Sequence, residues 1–238
     1  MSVVAMITAG GSGSRMHQNI PKQFLTVNER PVIVYTLEAF EKHPEIDAIA
    51  VVCIEGWQNV LEAYAQQFNI TKLKYIVAGG ETGYESIRNG VFELDKHFAR
   101  DDMVLIHDSI RPMISPEIIS NCIRVASKHG NAVTVIDCPE AMMTTEDGQV
   151  STGTYINTHL MRTQTPQAFY IGQMCDLYRK ADEAGITDAK APCSLMEMLG
   201  GHMYFAVGSE KNLKLTTLDD IDIFKALLKT ERSDWLKS

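Results

Sequence analysis

"VVAMITAGGSGSRMHQNIPKQF", residues 3 to 24, decides how the rest of the chain is read. Val3 to Thr8 is a short apolar run ending at glycines, and its length and flanks fit a buried parallel strand better than a helix. A glycine- and serine-rich loop follows, then Arg15, and then Lys22 behind Pro21. A phosphate-binding P-loop needs Gly-x-x-x-x-Gly-Lys-Ser/Thr, but Arg15 and Met16 stand where its lysine and hydroxyl belong. A dinucleotide fingerprint needs Gly-x-Gly-x-x-Gly opening a crossover helix. Gly11-Ser12-Gly13-Ser14-Arg15-Met16 lacks the third glycine, and Pro21 leaves no room for a long helix. A tight strand-to-helix turn whose glycines only accommodate positive φ is the competing structural reading. Against it stands the joint presence of Arg15 and Lys22. Bare backbone N–H groups can close around phosphate oxygens while two flanking cations neutralise them, a combination suited to a triphosphate.

Strand and helix patterns alternate outward from that stretch. "PVIVYTLEAFEKH" from Pro31 has helical spacing, and "IDAIAVVCI" (46–54) reads as a buried strand. "WQNVLEAYAQQF" (helix), "LKYIVAGG" (strand), "ESIRNGVFELDKHF" (helix) and "DMVLIHD" (strand) follow. "SPEIISNCIRVASKHG" has Ser115 as N-cap, Pro116 at the first helical position and Gly130 at the C-terminal end. "AVTVID" is a further strand. Repeated βα units imply an α/β fold with a mostly parallel sheet and helices on both faces, so that ligands gather at the carboxyl ends of the strands.

Between Cys138 and Phe169 the pattern changes. "EAMMTTEDGQVSTGTYI" alternates with period two around Glu146-Asp147-Gly148, which predicts a projecting β-hairpin arm. Met142, Met143, Val150 and Tyr155 would be partly exposed on it, so a homodimer is expected. "GQMCDLYRKADEAG" and "CSLMEMLGG" read as helices, "HMYFAVG" as a strand, and a last helix starts at Thr217 with capping-box spacing to Asp220. One domain over residues 1–238, with an arm at about 138–165, is the expected organisation.

Composition narrows the function. With 238 residues, 45% of them hydrophobic and 22% charged, the chain has apolar area for a sizeable core. A net charge of −8 argues against a nucleic-acid partner, which wants a basic face. No apolar run approaches the ~20 residues of a bilayer span, and the N-terminus lacks the marks of a signal peptide, so no membrane association and a cytoplasmic location are expected. Cysteines 53, 122, 138, 175 and 193 form no Cys-x-x-Cys pair, and the histidines are equally scattered. No dedicated cysteine or histidine metal site is expected.

Two further constellations sit at predicted strand ends. In "IHDSIRP" (106–112), Asp108 follows a buried strand, where one carboxylate plus phosphate oxygens can hold Mg²⁺. Turn capping is the structural alternative, and Arg111 favours an anionic substrate. In "GGETGYESIRNG" (79–90), Gly79 and Gly80 would let a flat ring approach the backbone, with Ser86 donating or capping.

Taken together, the Ala9–Met16 loop, Pro21-Lys22-Gln23, Gly79-Gly80 with Ser86, His107-Asp108-Ser109 with Arg111-Pro112, Thr165-Pro166-Gln167, and Asn212-Leu213-Lys214 with Thr216 resemble, in order, the cytidylyltransferases that act on polyol phosphates. The resemblance covers nearly the whole chain. It implies a Rossmann-like nucleotidyltransferase three-layer sandwich with a dimerising arm. It also implies the reaction of CTP with a polyol phosphate, giving a CDP-polyol and pyrophosphate, with Mg²⁺ as cofactor. On that resemblance Arg15 and Lys22 grip the triphosphate and Lys214 stabilises the α-phosphate. Ala9, Gly10, Gly11, Ser12, Gly13, Gly80, Glu81, Ser86 and Ser109 bind the nucleotide, and Asp108 binds the metal. Arg111, Glu140, Asn157 and Thr165 fall on the acceptor side. Departures from the methylerythritol enzymes concentrate there: Glu140-Ala141 replaces Asp-Thr and Asn157 replaces an arginine. In addition, Gly83 stands where many relatives carry arginine, and Lys190-Ala191-Pro192 looks inserted. A shared CTP site with a different acceptor is therefore expected, ribitol 5-phosphate first and 2-C-methylerythritol 4-phosphate second. The rival classes are an NAD(P)-dependent reductase and a nucleotide-binding module without catalysis.

Overall fold

The protein is described by a computed structural model covering residues 1–11, 20–155 and 160–234, with side chains to residue 230. Its first strand, β1 (Val3–Ala9), is an interior strand of a seven-stranded sheet. The other strands are β4 (Ala48–Cys53), β5 (Leu73–Ala78), β6 (Met103–Asp108), β7 (Asn131–Asp137), β10 (Met161–Tyr170) and β11 (Phe205–Val207), in the order β11-β7-β10-β6-β1-β4-β5. β1 pairs in parallel with β4 and β6, β4 with β5, and β7 with β11, whereas β10 runs antiparallel to both β6 and β7. Two short strands, β2 (Thr26–Val27) and β3 (Arg30–Pro31), make a separate ribbon before the first helix.

Both faces of the sheet are covered, so the central strands read as continuous apolar runs whose alternate residues enter different cores. Val3, Ala5 and Ile7 of β1 pack with α1 (Val32–Lys42), α2 (Gln58–Gln67) and α4 (Pro116–His129). Val4 and Met6 pack instead with α3 (Gly83–Leu94), α5 (Ile171–Glu183) and α6 (Pro192–Met198). The result is the three-layer, mostly parallel α/β sandwich expected from the sequence. α7 (Leu218–Asp234) lies against the outside of α1, where Phe224 meets Tyr35 edge-on with ring centroids 5.1 Å apart.

Local signals hold where the backbone demands them. Ser115 Oγ accepts from Ile118 N at 3.4 Å, and Gly130 takes the left-handed conformation at φ 95° that ends α4. Thr217 and Asp220 exchange the reciprocal bonds of a capping box at the start of α7.

The arm is the antiparallel pair β8 (Met142–Thr145) and β9 (Ser151–Tyr155), with every residue exposed. The Asp147 carboxylate accepts from Gln149 N and Val150 N in the connecting turn. The arm is shorter than the expected 138–165. Met161 already pairs with Asp137, so residues 161–165 belong to the sheet. Pro166 hides this strand in the sequence because proline breaks a ladder, and here it falls at the register shift between Thr163 and Gln167. Among the described residues, no helix is long and apolar enough to cross a membrane.

Candidate active site

A cleft of about 950 Å³ opens at the carboxyl ends of β1, β4, β5 and β6, where an open parallel sheet collects ligands. Gly10 and Gly11 line it from β1, Glu55 from β4, Gly80, Glu81 and Ser86 from β5 and α3, and Asp108 and Ser109 from β6. Lys22, Lys190 and Lys214 enter from three other segments.

The glycine loop is fixed at its root. Buried Gln23, in a single 3₁₀ turn at Lys22–Phe24, donates through Nε2 to the carbonyls of Ala9 (2.8 Å) and Gly11 (3.0 Å). Within Pro21-Lys22-Gln23 it is the neutral glutamine that ties the turn to β1. Ala9 is buried, and its carbonyl also accepts from Ile54 N. Gly10 and Gly80 are needed for close approach. A Cβ on Gly10 would lie 2.8 Å from Ser86 Oγ, and one on Gly80 2.3 Å from the Cβ of Glu85. Ser86 Oγ in turn accepts from Gly80 N at 3.0 Å. Bare backbone therefore edges this corner of the cleft, where a side chain at either glycine would collide with Ser86 or Glu85.

Asp108 is the electrostatic centre. Its carboxylate receives Arg111 Nε at 3.0 Å and Lys214 Nζ at 3.2 Å. Burial pushes the acid up, but Lys214 and Arg111 outweigh burial and hold it below its ordinary value. Behind the carboxylate, Thr165 Oγ1 accepts from Asp108 N (3.0 Å) and lies 3.0 Å from His107 Nδ1. The other ring nitrogen, Nε2, faces the Arg111 carbonyl at 3.3 Å and must donate to it. Nδ1 is then the acceptor of the Thr165 hydroxyl proton, which fixes the tautomer. Burial lowers the His107 pKa to about 4, so the ring is neutral at physiological pH.

The Lys214 segment is pinned as firmly. Arg111 donates to the Asn212 carbonyl at 2.7 Å, and Asn212 Nδ2 donates to Gln164 Oε1 and to the Thr165 carbonyl. Leu215 N donates to the Ile110 carbonyl at 2.9 Å.

Of the residues singled out in the sequence, Gly10, Gly11, Lys22, Gly80, Glu81, Ser86, Asp108, Ser109 and Lys214 share the cleft. Arg111 and Thr165 stand behind Asp108 and spend their polar groups on it and its neighbours. Glu140 is exposed at the arm root, 3.8 Å from Cys138 Sγ. Ser12, Gly13, Arg15 and Asn157 lie outside the described residues. No group of three or more His, Cys, Asp or Glu side chains gathers to hold a metal among the described residues. The Asp108 carboxylate lining the cleft nevertheless fits Mg²⁺, which takes most of its ligands from substrate phosphates and water.

An open α/β sheet with a glycine turn after β1, and one cleft at its strand ends lined by three lysines and Asp108, defines a Rossmann-like nucleotide-handling fold. Residues 3–230 match the 2-C-methyl-D-erythritol 4-phosphate cytidylyltransferase (IspD) family. The chain is 41% identical to the ribitol-5-phosphate cytidylyltransferase of Lacticaseibacillus paracasei, with 95% of this chain and 98% of that protein aligned. It is 34% identical to the 2-C-methyl-D-erythritol 4-phosphate cytidylyltransferase of Syntrophotalea carbinolica, with 97% of each covered. Its fold superposes on the crystal structure of the Francisella tularensis 2-C-methyl-D-erythritol 4-phosphate cytidylyltransferase with a TM-score of 0.80 at 26% identity, over 94% of this chain and 98% of that one. The chain belongs to this family of polyol-phosphate cytidylyltransferases, and it is an enzyme of that type.

Proposed function

We propose that the enzyme transfers CMP from CTP to D-ribitol 5-phosphate, releasing pyrophosphate. The observation that carries this reading is the meeting of Lys22, Lys214 and Asp108 in one cleft with the bare backbone of Gly10 and Gly80 and with Ser86. An acceptor phosphate oxygen forms the new bond to the α-phosphorus of CTP, and the bond from that phosphorus to the bridging oxygen breaks, so pyrophosphate leaves with the electron pair. The attacking phosphate is already largely ionised at neutral pH, its second pKa being about 6, so no general base is required. The neutral His107, turned away into Thr165 and Arg111, is consistent with that economy. The protein's work is to align two anions and absorb charge at the transferring group.

Lys22 and Arg15 take the triphosphate in this scheme, and Lys214 meets the α-phosphate from its hinge on Asp108. Asp108 would hold Mg²⁺, which when bound offsets the negative charge of the phosphate oxygens. Arg111 fixes the Asp108 carboxylate, and the acceptor lies toward Glu140 and Asn157. The choice of acceptor follows the curated relatives: ribitol-5-phosphate cytidylyltransferases match at 37–41% identity and methylerythritol-phosphate enzymes at 33–36%. The exposed arm supports a homodimer, and five unpaired cysteines agree with a reducing, cytoplasmic setting.

Pyrophosphate release is to be measured with CTP and Mg²⁺ against ribitol 5-phosphate, 2-C-methylerythritol 4-phosphate and glycerol 3-phosphate. Ribitol 5-phosphate is expected to give the highest kcat/KM. A preference for the methylerythritol compound would move the enzyme to the isoprenoid branch, and inertness of all three would discard the acceptor class.

A further inference from the structure

Lys190 has no part in the scheme above. It lies between α5 and α6, in the stretch that looks inserted, yet it lines the same cleft as Lys22 and Lys214. Lys214 is paired with Asp108, whereas the Lys190 side chain has no ion pair or hydrogen bond among the described residues. Its backbone is held on both sides: Ala189 and Pro192 are buried, Tyr84 Oη donates to the Ile186 carbonyl at 3.2 Å, and Cys193 N donates to Gln167 Oε1 at 3.0 Å. The fold therefore presents an exposed ammonium from a fixed base at the mouth of the cleft.

The wall formed by the first turn of α3 is open. Gly83 lines the cleft, its φ is not positive, and nothing lies within 4 Å of where its Cβ would stand. The neighbouring side chains are acidic. Glu85 is committed to the backbone N–H groups of Glu81 and Thr82, while Glu55 and Glu81 also line the cleft. A polyanionic nucleotide entering beside these carboxylates is repelled unless a cation offsets them. We infer that Lys190 is a nucleotide-binding residue, supplying positive charge from the α5–α6 segment to a cleft that Glu55, Glu81 and Glu85 make acidic on its other side. A lysine suits the task because its long stem carries a compact, freely rotating charge across an empty corner. The inference rests on the reading of the cleft as a CTP site.

The test is calorimetric titration of CTP into the parent and into Lys190→Ala, Lys190→Arg, Lys190→Glu and the double variant Gly83→Arg/Lys190→Ala, with KM measured for both substrates. Lys190→Ala should weaken CTP binding about tenfold, the loss of one charged hydrogen bond, and Lys190→Glu should weaken it further. Lys190→Arg should restore most of the affinity, and Gly83→Arg should recover it by placing the charge on the opposite wall. KM for the acceptor should stay within about twofold of the parent, since uniform binding of one substrate is what is removed. CTP affinity unchanged in both the alanine and glutamate variants would overturn the inference, as would a rise confined to acceptor KM. Failure of Gly83→Arg to recover binding would overturn the shared corner. UTP and ATP are titrated in parallel. Should the parent prefer one of them, the CTP reading falls while Lys190 is judged on that nucleotide, and a parent that binds none removes both.

Discussion

The carboxyl end of β6 and the β8–β9 arm are opposite solutions to the problem of ordering a polar segment. At β6 the fully buried His107, the Thr165 hydroxyl, the Asp108 amide and the Arg111 carbonyl form one chain of hydrogen bonds, and Asn212 and Gln164 extend it into the next layer. In the arm, Met143 is 70% and Val150 66% exposed, and among the described residues the two strands pair only with each other. An isolated two-stranded hairpin is marginal in water. The site is therefore preorganised by the core before any substrate arrives, whereas the arm shows only its own cross-strand pairing among the described residues.

The largest effect that separates the two regions is expected at the cleft. Lys22→Ala should cut turnover about 10²–10³-fold, the scale of removing one preorganised electrostatic donor, with the thermal transition unchanged. Turnover within a few-fold of the parent would take Lys22 out of the site. Thr165→Val tests the preorganisation itself. The isosteric change strands Asp108 N and His107 Nδ1 without a partner and should cost about 1–3 kcal/mol in urea unfolding, while Thr165→Ser should restore most of it. A valine variant as stable as the parent would mean that the buried chain of bonds does not hold the site.

The two regions also differ in how much of them the sequence discloses. The parallel half of the sheet was legible because burial on both faces writes itself as apolar runs, and α4 because Ser115, Pro116 and Gly130 each answer a local backbone demand. The arm was visible through its alternation and Asp147-Gly148. β10 was not: its first half was counted with the arm, whereas the whole segment Met161–Tyr170 is an interior strand between β7 and β6. Its polar residues are spent on partners far along the chain, Gln164 on Ser209 and Asn212, and Gln167 on Cys193. Such pairings leave no periodic trace. The same holds for Gln23, whose bonds to Ala9 and Gly11 need the turn to exist first. Asp108 was legible at a predicted strand end and Lys22 beside the glycine loop, Lys214 came through the family resemblance alone, and the roles of Arg111 and Thr165 behind Asp108 emerge only from the packing.

Between these extremes lies the start of α7, which follows the Lys214 segment. Asp220 Oδ2 accepts from Thr216 N at 2.7 Å and Thr217 N at 2.8 Å. Partial burial raises its pKa, but those amide bonds and the two threonine hydroxyls outweigh burial and leave it lowered. A lowered folded value means that the acid contributes stability above its unfolded pKa of about 3.9 and loses it as pH falls through the folded value. Asp220→Asn should cost about 1 kcal/mol at neutral pH, a cap-sized effect reduced by solvent screening. The gap between parent and variant should close in acid. A gap that persists at the lowest pH at which both remain folded would assign the loss to packing and not to charge.

The arm offers the smallest effect on the fold and the clearest contrast. Met143→Asp with Val150→Asp places charge on side chains that are largely exposed among the described residues, so unfolding free energy should move by no more than about 0.5 kcal/mol. Sedimentation should nevertheless shift from dimer toward monomer, because two carboxylates would have to be buried for the arm to keep its partner. A monomeric parent at micromolar concentration would remove the partner from this account, leaving the exposed Met142, Met143 and Tyr155 without a role. Loss of core stability in the variant would be equally damaging, since it would mean that the arm folds back onto its own sheet. Unchanged unfolding with lost association would show that one chain carries two independently ordered regions, one fixed by its interior and the other by a neighbour.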